Sequence, residues 1–240
     1  MNGPNTDAHA IIKDLIMQRI FENKRTRYIW KLSNMNLTYC EIPKTGSSTT
    51  KTVLFRSNYQ LSSESELKVG GGQLVKEFPD SFLDKYEPSD FLDRTLIVYR
   101  NPVERVKSAY RGIFLRRQGL EGSLSEYFEK HLKFFLASEP TDGLLNHHKP
   151  MTWFFPQFLV NDARSLFVET SELNSLPDHL GLDMSCIPTK NGAAMPHLLN
   201  VDKRLGEVDM TDNEIKIALG QAFDEDFLLF EGLNNRTNDH

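Results

Sequence analysis

The feature that most constrains this chain is a change of pattern between Leu37 and Phe55. Leu37-Thr38-Tyr39-Cys40-Glu41-Ile42 reads as a short strand. Pro43 and Gly46 break it, and residues 47–57 resume as a helix with Val53 and Leu54 facing inward. A second strand, Thr95-Leu96-Ile97-Val98-Tyr99, is apolar throughout, as a strand covered on both faces should be. Asn101 stands at the cap of the helix that follows, with Pro102 at its first position and Glu104 in a capping-box pattern. Val103, Val106, Tyr110, Ile113 and Phe114 form that helix's apolar stripe. Residues 164–169 read as a third strand, and 10–25, 123–137 and 211–229 as helices. Strands alternating with helices predict an α/β fold with a parallel sheet.

At 240 residues the chain suits one sizeable core, so residues 1–240 are expected to form one domain, with disordered tails at 1–9 and 233–240. Residues 60–73 end in Gly70-Gly71-Gly72 and read as a surface loop with a hinge. The net charge of −5 argues against general binding to nucleic acid or anionic membranes. Two cysteines, Cys40 and Cys186, do not make a disulfide scaffold. Cys40 reads as a buried thiol, and one long-range bridge stays open. No apolar run is long enough to span a bilayer, and Met1–Ala10 lacks the layout of a signal peptide. A cytoplasmic location is expected, or the Golgi lumen if the chain is a trimmed part of an anchored enzyme.

Two segments are suited to anions. The first is Pro43-Lys44-Thr45-Gly46-Ser47-Ser48-Thr49, between strand and helix. Glycine allows a tight turn, the helix start presents N–H groups and a positive dipole end, the hydroxyls add donors, and Lys44 adds a mobile charge. It is not a Walker loop, because Lys44 precedes the glycine. The second segment begins at Arg100, at the carboxyl end of the second strand, where open α/β sheets bind ligands. Arg100, Arg105, Lys107, Arg111, Arg116 and Arg117 follow, opposed only by Glu104. Arg100 can grip a phosphate bidentately, and Ser108 can add a hydroxyl.

Together these segments resemble the PAPS-dependent sulfotransferases, in a pattern most similar to the carbohydrate (Golgi-type, family 2) enzymes. There a Pro-Lys-Thr-Gly-type loop binds the 5′-phosphosulfate and an Arg-Asp-Pro…Arg…Ser-Ala-Tyr segment binds the 3′-phosphate. Here the second reads Arg100-Asn101-Pro102 through Arg105 to Ser108-Ala109-Tyr110. Trp153 to Gln157 with Val168-Glu169-Thr170, and Asp224-Glu225-Asp226-Phe227-Leu228-Leu229-Phe230, are similar to the family's middle and terminal sections. The resemblance implies a P-loop-like three-layer α/β fold with a central parallel sheet flanked by helices. It implies PAPS as co-substrate, held by Lys44, Thr45, Gly46, Ser47, Ser48, Thr49, Arg100 and Ser108, and sulfuryl transfer to a hydroxyl acceptor such as a carbohydrate, with Lys44 catalytic. Two departures stand out. Asn101 replaces the usual Asp, and Thr49 and Thr50 stand where many relatives carry a Trp that can stack on adenine.

An acceptor hydroxyl needs a general base. No histidine lies between Lys44 and Arg100. The candidates are His147 and His148, then Glu64, Glu66, Glu77, Glu87 and His197; Lys203 and Arg204 are candidates for closing over the nucleotide. No metal is expected, since the histidines lack ligand spacing. Two other readings remain open: a P-loop kinase-like phosphotransferase, and a non-catalytic PAP(S)-binding protein.

Overall fold

The computed structural model describes residues 28–62, 67–115, 122–132, 136, 145–182, 189–190, 193–194 and 208–237. Its centre is a four-stranded sheet in the order β1 (Ile29–Leu32), β2 (Leu37–Cys40), β3 (Arg94–Tyr99), β4 (Ser165–Glu169). β2 pairs parallel with β3 and β3 with β4, in registers that set Tyr39 opposite Leu96 and Ile97 opposite Phe167. β1 pairs antiparallel with β2, Trp30 opposite Tyr39. The sheet is therefore mostly parallel, not wholly so. β1 was not foreseen: Ile29-Trp30-Lys31-Leu32 is too short to show a period, and long-range pairing makes it a strand.

Side chains alternate across β3 as the pleat requires. Leu96 and Val98 join Trp30, Tyr39, Val53, Leu54 and Leu173 in one core. Ile97 and Tyr99 join Cys40, Ile42, Phe155 and Leu159 in the core on the other face. Helix α1 (Ser47–Tyr59) supplies Val53, Leu54 and Phe55 to the first layer. The second is covered by the aromatic run from Met151 and by the end of a C-terminal helix. Both faces of β3 are thus buried, which explains its unbroken apolar sequence.

Trp30 packs edge-on against Phe55, ring centroids 5.2 Å apart, and donates from Nε1 to Glu41 Oε2 at 3.1 Å. The other oxygen of Glu41 pairs with Lys51 Nζ at 2.5 Å. Both residues are buried. Removing one partner of such a pair costs about 3–5 kcal/mol, so the pair fixes the strand end to the second turn of α1.

Helix α2 (Gly71–Glu77) starts inside the triple glycine, with Gly70 as its cap, so these glycines begin a helix and do not form a hinge. Helix α3 (Pro102–Ala109) widens into a π-turn over Tyr110–Leu115. Asn101 caps it as expected, accepting from Val103 N at 2.9 Å and Glu104 N at 3.4 Å. Glu104 does not reach back to close the box; it pairs with Lys107 at 2.9 Å and faces Arg100 at 3.8 Å. Val103, Val106 and Tyr110 are buried against α4 (Leu124–Tyr127) and, further along the chain, Ile215, Leu219 and Phe223. The side chains of Ile113 and Phe114 lie outside the described residues, as do the expected helix 10–25, tail 1–9 and Cys186. Cys40 is buried in β2.

Helix α5 (Leu176–Leu180) follows β4. The stretch expected as one helix over 211–229 is two, α6 (Asp212–Leu219) and α7 (Asp224–Thr237), divided by a turn at Gly220, φ 48°. α7 continues to Thr237 with Leu233 buried, so the tail expected from residue 233 is helical there. No helix among the described residues is long and apolar enough to cross a membrane.

Candidate active site

The loop after β2, the start of α3 after β3 and the turn after β4 meet at the carboxyl edge of the sheet. The loop is held from behind, one carbonyl at a time. Thr45 Oγ1 donates to Ile42 O at 2.9 Å, and Arg105 Nε donates to Pro43 O at 2.9 Å. Arg100 donates through one guanidinium nitrogen to Lys44 O at 3.3 Å, and Thr170 Oγ1, which donates to Tyr99 O at 2.8 Å, lies 3.3 Å from Thr45 O. Gly46 O accepts from Thr50 N at 3.0 Å and Thr50 Oγ1 at 3.2 Å. A trans peptide points its N–H opposite its C=O, so carbonyls drawn into the protein turn the intervening N–H groups the other way.

Two residues make that path. Gly46 has φ 81°, and a Cβ there would fall 2.3 Å from Leu173 Cδ1, so glycine is needed for both conformation and space. Lys44 has φ 70°, a left-handed backbone that costs a non-glycine residue of order 1 kcal/mol and marks functional sites. Its ammonium lies over Gly112 in the π-turn, where a Cβ would come 2.5 Å from Nζ. A widened turn is a common device at such sites.

Helix α1 begins directly after Gly46, without a side-chain cap or an acidic residue in its first turn. Its N–H groups and dipole are therefore not offset by a carboxylate. Ser48 is exposed, Ser47 and Ser108 are half-buried, and Thr45 and Thr49 are buried. Thr45 thus acts as a brace of the loop rather than as one of its surface hydroxyls. Burial lowers the Arg100 guanidinium below its usual pKa, with Glu104 opposing the shift.

Arg105 is the centre of the arrangement. It is 1% exposed and stacks over Phe154, 5.6 Å from the ring centroid. Beside its bond to Pro43 O it donates at 2.6 Å to Lys149 O. Its remaining NH2 group is buried with no hydrogen-bond partner among the described residues, at a cost of about 1–3 kcal/mol. Burial pulls its pKa down to about 10, against the field of Asp226. Asp226, fully buried on α7, accepts from Met151 N at 2.7 Å and Thr152 N at 3.0 Å. Desolvation raises its pKa more than these partners lower it.

The short turn Leu145–His148 brings His148 into this interior. It is 1% exposed, not a solvent-facing turn residue, and its Nδ1 lies 2.6 Å from Tyr127 Oη. Burial first, then the charges of Arg105, Lys44 and Lys149, push its pKa down to about 3. His147 is half-buried beside it. Glu77 and Glu87 are exposed; Glu64, Glu66, His197, Lys203 and Arg204 lie outside the described residues.

The depressed histidine has a consequence for stability. Unfolded His148 takes a proton near pH 6.5, whereas the folded residue stays neutral down to about pH 3. Between these values the unfolded chain binds more protons, so stability falls as pH falls. From pH 7 to 5 this group alone is expected to remove about 2 kcal/mol. Urea midpoints of wild type and His148→Gln at the two pH values test this, and an identical acid loss in both would sink it.

Sequence comparison agrees with the geometry: the Sulfotransferase family model matches residues 28–231 of the chain. The chain belongs to the sulfotransferase family. No curated protein and no solved structure matches it. The match takes in the loop 43–49, the Arg100 segment, both histidines and Asp226 of this member of the sulfotransferase family. The sequence assigns no role to Thr170, Asp226 or Gly112, and marks Arg105 only as a member of the basic run and of the Arg…Arg…Ser segment. One signal was available: Asp226 is a lone acid between Phe223 and Phe227, on the helix face that must be buried.

Proposed function

We propose that the chain transfers a sulfuryl group from PAPS to an acceptor hydroxyl, with a carbohydrate as the acceptor class. The observation that carries this reading is the loop 42–46, whose carbonyls at 42, 43 and 44 are hydrogen-bonded within the protein and whose Gly46 carbonyl opens the helix, beside an uncapped helix start and a lysine. Such a cradle fits a phosphosulfate. The mostly parallel sheet, layered on both faces, supports the P-loop-like three-layer architecture.

PAPS, when bound, supplies an activated sulfuryl group on a good leaving group. In the proposed mechanism Lys44, Thr45, Gly46, Ser47, Ser48 and Thr49 form the 5′-phosphosulfate loop, Thr45 and Thr49 chiefly by shaping it. Arg100 and Ser108 hold the 3′-phosphate. Lys44 offers its ammonium to the oxygen on which charge grows, a preorganised electrostatic contribution. His148 takes the acceptor proton through Nε2, which requires Nδ1 to carry the hydrogen shared with Tyr127. His147 is the second candidate for that role. Burial first, and then three cations, suppress the basicity of His148; an anionic donor beside Lys44 offsets part of the cations' field.

The product nucleotide PAP tests the donor site. At about 100 times its Kd it stabilises the fold by about 2.7 kcal/mol, a rise of roughly 5–10 °C in Tm for a chain of this size. Label transfer from PAPS to pooled glycans then tests the reaction. Stabilisation by ATP–Mg²⁺ but not PAP would replace this reading with a kinase-like phosphotransferase. Stabilisation by PAP without transfer to any acceptor would leave a PAP(S)-binding protein.

A further inference from the structure

We infer that Arg105 is a positioning residue that locks the donor loop and the histidine segment into one fixed relation. It grips the carbonyls adjacent to Lys44 and His148. Pro43 O immediately precedes Lys44, and Lys149 O immediately follows His148. One guanidinium therefore spans two segments 106 residues apart in the chain (43 and 149), each carrying one group of the proposed chemistry. The inference rests on the sulfotransfer reading for its catalytic meaning, but the clamp itself does not.

Arginine is required by geometry. Its planar fork presents Nε and a terminal nitrogen at a fixed angle, so two carbonyls on different segments can be held at once. Lysine is a point donor on a flexible stem and cannot hold both in defined directions. The fork is itself fixed: Phe154 lies beneath it, and Asp226 holds the backbone of Met151 and Thr152, two and three residues beyond Lys149. Because both carbonyls belong to residues beside the reacting groups, a shift here moves Lys44, together with the carbonyl that Arg100 holds, relative to His148.

The test is hydrogen exchange on the full chain carrying Arg105→Lys. Exchange is expected to quicken about tenfold or more in peptides covering both 43–50 and 145–153, with protection across β3 unchanged. Faster exchange in only one of the two, in neither, or equally in β3 would overturn the clamp. If Arg105→Lys does not fold, Arg105→Gln, which buries no charge, is read by the same comparison. Kinetics give the second readout. In whichever variant folds, kcat falls about 10²-fold, as expected for a misplacement near 1 Å, while PAP affinity falls less, by no more than about tenfold. Parallel loss of PAP affinity and kcat would make Arg105 a donor ligand and overturn the inference. If wild type transfers nothing, the functional reading falls, and the exchange result still decides the clamp.

Discussion

Lys44→Ala is expected to lower kcat for sulfuryl transfer by about 10³-fold, the scale of losing one preorganised charge-stabilising donor. PAP affinity should fall by no more than about tenfold. The split follows from where the lysine sits. Its backbone is held by Arg100 at the carbonyl, and its left-handed φ of 70° comes from the loop path. The loop's other carbonyls keep their own braces, so the cradle survives the substitution. The substitution removes the ammonium from the space over Gly112. An interaction made mainly in the transition state lowers kcat and kcat/KM together. Steady-state kinetics with labelled PAPS, beside calorimetry with PAP, give both numbers. A kcat within tenfold of wild type would remove Lys44 from the mechanism.

Asp226→Ala is expected to destabilise the fold by about 3 kcal/mol or more, enough to lower Tm by roughly 10 °C. Two buried N–H groups, at Met151 and Thr152, would lose their acceptor. Arg105 would lose the carboxylate whose field offsets its burial. The cavity adds little, because the side chain is small. Asp226→Asn keeps one acceptor oxygen without the charge, so its cost should be clearly smaller. Thermal melts of the three proteins settle the order. An alanine variant within 1 kcal/mol of wild type would show that the turn after Pro150 does not depend on α7.

The turn at Pro43–Gly46 and the helix after Arg100 were legible because their conformations are set locally. Pro43, Gly46, Asn101 and Pro102 act within a few residues of themselves, and the apolar run 95–99 needs only burial on both faces. Local rules also misled. Glu104 has the spacing of a capping box, but the neighbouring cations Lys107 and Arg100 draw it away. Gly70-Gly71-Gly72 looks like a hinge, yet Leu74 is buried and packing carries a helix through two of the glycines.

The sequence alone determined the alternation of strands and helices, the lysine-before-glycine loop and its basic neighbour at Arg100, and so the family resemblance that residues 28–231 bear out. Tertiary structure decided which charges serve which purpose. Arg100 and Arg105 are alike in a basic run, but only Arg105 is 1% exposed and bonded to carbonyls 43 and 149. His148 reads as part of a polar turn, and becomes a buried neutral ring beside Tyr127 because the fold brings Lys44, Arg105 and Tyr127 from three other segments to it. Burial and field at a point sum over the whole fold. No local pattern encodes them, which is why the loop could be read from the chain and the interior that supports it could not.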